Sequence, residues 1–200
     1  MSEAAPRRRR LEPEDRRAEI VEAATRLIAD RGFRGVTLQA VADACGMTAA
    51  GVLHHMGTKD GILVAVLEHR DAVDALAARE RAAGETDPRG FLDAVMLRNS
   101  SQPEIVRLYS VLAAEALTES HPAHAYFQKR YAVSRADIER YLTGRVEDPA
   151  AAAVHVLAVM DGLQLQWLRD PDGFDLLHHW AVLADAVLGP RRAASRSPRG

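Results

Sequence analysis

Residues Ala42–Leu63 read ADACGMTAAGVLHHMGTKDGIL. This run asks for a short helix, a sharp turn, a second short helix and the start of another. Gly46 suits the turn, where a side chain clashes or a positive φ is needed, and Ala42 is small enough to let two helices approach closely. Thr37 can cap a helix through Leu38, Val41 and Cys45. Thr48 can cap the next, through Val52 to His55, and Thr58 a third, with Asp60 in its first turn. Two short helices about a glycine turn follow helix-turn-helix logic, in which the second lies in the DNA major groove and the first crosses the backbone. Small-residue helical hairpins also occur in plain bundles, so the surrounding sequence has to decide.

Upstream, Ile20, Ala24, Leu27 and Ile28 recur at helical spacing after Pro13, Glu14 and Asp15, and Arg31-Gly32 supply the stop. Downstream, Ile62, Leu63, Val66, Leu67 and Val73 form the expected buried side of the helix that Thr58 opens. Residues 13 to 67, and above all RGFRGVTLQAVADACGMTAAGVLHHMGTKDGIL from Arg31 to Leu63, closely resemble the N-terminal domain of the TetR family of transcriptional regulators. Gly32-Phe33 closes the first helix of that pattern, Val36-Thr37 opens the second, and Thr58-Lys59-Asp60 opens the fourth. The resemblance implies an all-α fold: an N-terminal three-helix helix-turn-helix DNA-binding domain joined to a larger helical ligand-binding and dimerisation domain. The chain departs from the pattern where aromatics usually surround the histidine ending the recognition helix. Leu53, His55 and Met56 stand there, and Leu53 replaces a phosphate-contacting tyrosine.

The residues expected at DNA follow. Lys59 sits at a helix start, where unpaired N–H groups favour phosphate. Thr37 and Thr48 can reach phosphate while capping, and His54 or His55 can take over part of the lost tyrosine's role. The recognition helix begins Thr48, Ala49, Ala50, Gly51, and Ala49, Ala50 and Gly51 lack hydrogen-bonding side chains. Alanine can meet a thymine methyl and glycine permits close approach, so Gln39 is the main polar base reader, at the position the resemblance assigns to one. DNA shape and an arginine arm, Arg7 to Arg10, are expected to add specificity; the other reading of that arm is a solvated tail. Cys45 reads as a small core residue, with redox sensing as the other reading.

The second half gives helices at about 88–101, 103–119, 123–144, 149–168 and 173–188, with Asp87-Pro88 and Asp148-Pro149 as starts and His121-Pro122 and Asp170-Pro171 as breaks. The expected domains are a disordered basic arm (1–12), the helix-turn-helix domain (13–57), a regulatory and dimerisation domain (58–188, helix 58–81 connecting) and a disordered tail (189–200). The last two helices are apolar on more than one side, which calls for two neighbours each. A four-helix homodimer interface is expected there, using Val154, Leu157, Leu165, Trp167, Trp180, Leu183 and Val187. An effector pocket is implied by the resemblance. Its candidates are the polar or soft residues of otherwise apolar helices: Met96, Asn99, Tyr109, Glu115, His124, Tyr126, Met160 and Gln164.

Composition bounds the rest. Of 200 residues, 48% are hydrophobic and 27% charged, and the one cysteine permits no internal disulfide and fits a reducing cytoplasm. Residues 1–60 hold ten Lys/Arg against nine Asp/Glu, so any polyanion must be met by a local patch near the N-terminus. Arg7–Arg10 lead into no apolar segment, so no secretory signal is expected, and no run is long enough for a membrane span. No Gly-rich phosphate loop, HExxH or CxxC occurs, so no catalytic residue, cofactor or metal is expected. The histidines include the pair His178-His179 and His121-x-x-His124. The second spacing could place two imidazoles near a metal, but Pro122 sets it at a helix start, where capping and surface exposure are the expected roles. The expected partners are a palindromic double-stranded operator, a second copy of the chain and a small-molecule effector of unknown identity. The runner-up is a helical ligand-binding bundle without specific DNA binding.

Overall fold

The structure is a computed structural model that describes residues 12–82 and 88–188. All regular structure among the described residues is helical: α1 (Pro13–Arg31), α2 (Leu38–Cys45), α3 (Ala49–Met56), α4 (Lys59–Ala82), α5 (Pro88–Ser100), α6 (Pro103–Glu115), α7 (His124–Leu142), α8 (Pro149–Trp167) and α9 (Leu176–Leu188), with one 3₁₀ turn at Phe33–Gly35. The arginine arm, Asp87 and the C-terminal tail lie outside the described residues. Two compact units divide at His69 and Arg70, within α4. The buried Ile62, Leu63, Val66 and Leu67 at the start of α4 belong to the first unit.

In the first unit, α1, α2 and α3 pack on one another. Ile20, Ala24 and Ile28 of α1 share the core with Val41, Ala42, Cys45, Val52 and Met56. Caps fix where the helices begin. Thr37, Thr48 and Thr58 each accept a hydrogen bond from the backbone N–H three residues on, at 3.1, 3.0 and 2.9 Å. Such a cap is worth about 1 kcal/mol. Helix α2 stops at Gly46, which is left-handed (φ 57°, ψ 42°); Met47 N–H reaches back to Ala42 O at 2.8 Å and Gly46 N–H to Asp43 O at 3.0 Å. This is a Schellman closure, and it sets the turn into α3.

In the second unit, α7 packs on α8, α8 on α9, and α9 on α5. Leu92, Met96, Ile138, Leu142, Val156, Leu157, Met160, Trp167 and Trp180 form one core with their neighbours. Asp148 caps α8 as its proline predicts, accepting from Ala151 N–H at 3.0 Å. Three details differ from expectation. Helix α6 ends at Glu115, not near 119, because His124 Nδ1 closes on Ala116 O at 2.8 Å. Helix α9 begins at Leu176 because Asp175 caps it through His178 N–H. Val73 is 38% exposed, since the buried stripe of α4 continues through Arg70 instead.

Candidate nucleic-acid interface

The expected DNA contacts fall on one small unit, and most of them are open to solvent. Val52 and Met56 anchor α3 in the core, which turns Ala50, Leu53 and His54 outward; Ala49, Gly51 and His55 are half-buried. Gln39, Asp43 and Lys59 are exposed or nearly so, Lys59 as the first residue of α4. Thr37 and Thr48 are exposed as well, and their oxygens are engaged as caps while their hydroxyl hydrogens can still donate. The imidazoles of His54 and His55 stand edge-on, with centroids 5.3 Å apart. Cys45 is buried, with Sγ 3.9 Å from Glu19 O.

Two contributors escaped the sequence reading, and a third, Leu53, entered it only as the replacement of a tyrosine. Arg17 of α1 donates to His55 O at 3.3 Å and approaches Met56 Sδ at 3.7 Å, bracing the end of α3. Gly61 is required by packing: a Cβ there would lie 2.5 Å from Met56 O. Leu53 is 37% exposed, an apolar side chain on the outward face. The signal for Leu53 was present in its replacement of an aromatic; Arg17 acts on a residue 38 positions away, and Gly61 through a close approach to the backbone five residues before it.

The second unit holds the residues assigned to an effector pocket, but in separate settings. Met96 and Met160 are buried in the apolar core, and Glu115 is exposed. Asn99 donates to Gln164 Oε1 at 3.0 Å, and Gln164 donates to Met160 O at 2.8 Å. Arg70 extends this chain to Gln102 and, at 3.4 Å, to Asn99. Tyr109 and Tyr126 belong to a different cluster centred on Asp71. Their hydroxyls donate to its two carboxylate oxygens at 2.7 and 2.6 Å; Arg130 Nε donates at 3.3 Å and its guanidinium lies 4.4 Å from the centre of the Tyr109 ring. Burial, first of all, raises the Tyr126 and Tyr109 phenols above their ordinary range, and the Asp71 charge adds to it. Burial, the largest single influence, works against the Arg130 charge, but Asp71, Tyr109 and Tyr126 together outweigh it and the net shift is upward. Nearby, Tyr131 donates to Asp161 at 2.8 Å, and burial followed by that carboxylate pushes its phenol up to about 12. His124 serves the end of α6.

The residues assigned to a dimer interface divide. Leu157, Trp167 and Trp180 are buried within this chain's own core, and Trp180 Nε1 donates to Asp93 at 2.6 Å. Those rings are packed against this chain's own core. Leu183 and Val187 are partly buried against the same core. Val154 (49% exposed) and Leu165 (42%) remain outward on α8, and Val182 (58%) on α9.

A family model described as bacterial regulatory proteins, tetR family, matches residues 20–66. The HTH-type transcriptional regulator BetI of Paraburkholderia xenovorans is 29% identical over 171 residues, 81% of this chain and 86% of that protein. The BetI of Burkholderia thailandensis is 39% identical over 94 residues, and the match spans about half of each chain, 46% here and 48% there. Among solved structures, a transcriptional regulator from Saccharomonospora viridis in complex with choline matches the fold with a TM-score of 0.70 at 23% identity, covering 88% of this chain and 96% of that one. AibR in complex with isovaleryl coenzyme A and operator DNA gives 0.59 at 25% identity, covering 88% and 100%. Among the described residues, no helix is long and apolar enough to cross a membrane.

Proposed function

We propose that this chain, which belongs to the TetR family of bacterial regulatory proteins and is a DNA-binding transcriptional regulator, works as a cytoplasmic homodimer on a palindromic operator, a repressor that a small molecule releases. The observation that carries the reading is α3 itself. It is capped by Thr48, set by the left-handed Gly46, anchored by Val52 and Met56, and open along Ala50, Leu53 and His54. A helix held this way can enter a major groove, with Lys59 and the N-terminus of α4 receiving a phosphate. Thr37, Thr48 and one of His54 or His55 contribute further backbone contacts, and Ala49, Ala50 and Gly51 allow close approach and contact with thymine methyls.

One recognition helix covers too few base pairs to single out a site, so two copies are required, their α3 helices about 34 Å apart. The outward residues of α8 (Val154, Ala158, Leu165) lie on one helical face, as do His179, Val182 and Ala186 of α9, and these faces suit a second copy. The effector acts on the second unit. Relatives of this fold have been seen with choline and with isovaleryl coenzyme A. Here Asp71 and Arg70 lie in α4, the helix that begins with Lys59, so a ligand that rearranges their partners shifts the population of DNA-competent conformers by its differential affinity.

Fluorescence anisotropy with labelled DNA over a range of salt tests the reading. Log affinity should fall linearly with log salt, and Lys59→Ala should weaken all sequences alike and reduce the slope by about one. Affinity that ignores salt, or no binding at all, would favour the ligand-binding bundle.

A further inference from the structure

Gln39 and Asp43 lie one turn apart on the exposed side of α2, and Gln39 Nε2 donates to Asp43 Oδ1 at 2.7 Å. A carboxylate only accepts, so the Gln39 amide has to turn its nitrogen toward Asp43 and its oxygen away. We propose that Asp43 is a positioning residue that fixes the orientation of the Gln39 amide and so sets which base Gln39 reads. This rests on the DNA-binding reading above.

The chemistry follows from the atoms that remain. One Gln39 N–H is committed to Asp43; the other N–H and Oε1 stay available, one donor beside one acceptor. That pair matches the adenine edge, where N6–H₂ donates and N7 accepts. Guanine offers two acceptors, O6 and N7, and Oε1 would then face an acceptor. Without Asp43 the amide is free to turn over and can present its NH₂ group to guanine. Asp43 also carries a negative charge toward a polyanion, which costs general affinity. A residue that lowers affinity and sharpens discrimination has a signature that a plain surface hydrogen bond lacks.

The test is selection of bound fragments from a random-sequence library by the full-length protein and its Gln39→Ala, Asp43→Ala and Asp43→Asn variants, with thermal melts as a folding control. The wild type should show one position per half-site where adenine exceeds guanine by roughly ten-fold or more, and Gln39→Ala should erase it. In Asp43→Ala that ratio should shrink to within about two-fold while every other position keeps its preference. Its affinity for non-specific DNA should rise by up to about five-fold at physiological salt. Asp43→Asn, which can accept from or donate to the amide, should fall between. An Asp43→Ala motif identical to the wild type would overturn the inference and leave the DNA-binding reading intact. A wild-type protein that enriches no site would overturn both.

Discussion

Replacing Asp71 by alanine tests the load carried by one carboxylate. It removes the acceptor of two phenol hydrogen bonds, at 2.7 and 2.6 Å, and of the Arg130 contact at 3.3 Å. A hydrogen bond to a charged group contributes about 1.5–3 kcal/mol when dry. The side chains here are not dry: Asp71 is 35% exposed and Arg130 28%. Water can therefore re-solvate the guanidinium, which places that ion pair near the low value of surface pairs. The two phenols then dominate, and the expected loss is about 2–4 kcal/mol. Both tryptophans, Trp167 and Trp180, lie in the second unit, so intrinsic fluorescence reports its unfolding separately from the first. With a urea dependence of about 2 kcal/mol per molar, the midpoint should fall by roughly 1–2 M. Tyr126→Phe alone should cost about 1–2 kcal/mol, and combined with Asp71→Ala it should add almost nothing, a coupling above about 1 kcal/mol. Strict additivity, or a midpoint shift under about 0.3 M, would refute the view of Asp71 as the hub.

Further outcomes are expected elsewhere. Gly61→Ala should lower the thermal stability of the first unit by about 1–3 kcal/mol, since its Cβ would meet Met56 O at 2.5 Å and the Met56–Thr58 turn must move; an unchanged circular-dichroism melt would count against this. In alkaline solution the raised phenols of Tyr109, Tyr126 and Tyr131 favour the fold while neutral, so stability should hold up to the ordinary value near 10 and fall as pH climbs toward the Tyr131 value of about 12. Tyrosine absorbance should accordingly show most ionisation arriving together with unfolding; a full titration centred near the ordinary value in folded protein would contradict it. Leu165→Glu and Val182→Glu should give a folded monomer in sedimentation equilibrium, whereas Trp180→Ala should unfold the second unit; a dimer that tolerates both charges would move the interface away from these faces.

The elements of the first unit were legible because their causes are local. Thr37, Thr48 and Thr58 cap the residues immediately following them, and Gly46 acts within one turn of α2. The hub on Asp71 was not legible, because its partners stand 38, 55 and 59 residues away and each looks ordinary alone. Which side of α8 and α9 faces inward was not legible for another reason. A helix apolar on two sides needs two neighbours, but periodicity does not say which side meets the chain's own core. Trp167 and Trp180 went inward, and the smaller Val154, Leu165 and Val182 stayed out. The pocket candidates share this difficulty: Asn99 and Gln164 are polar groups beside the apolar core, yet Asn99 donates to Gln164, which in turn donates to Met160 O.

The most direct test of the central claim is a genome-wide selection of DNA fragments bound by the purified full-length protein at physiological salt, with the number of protomers per bound fragment measured by mass photometry. A dimeric regulator predicts a short two-fold symmetric site, two protomers on each copy, and half-sites separated by about one helical turn. Enrichment of no sequence, or one protomer on an asymmetric site, would contradict it.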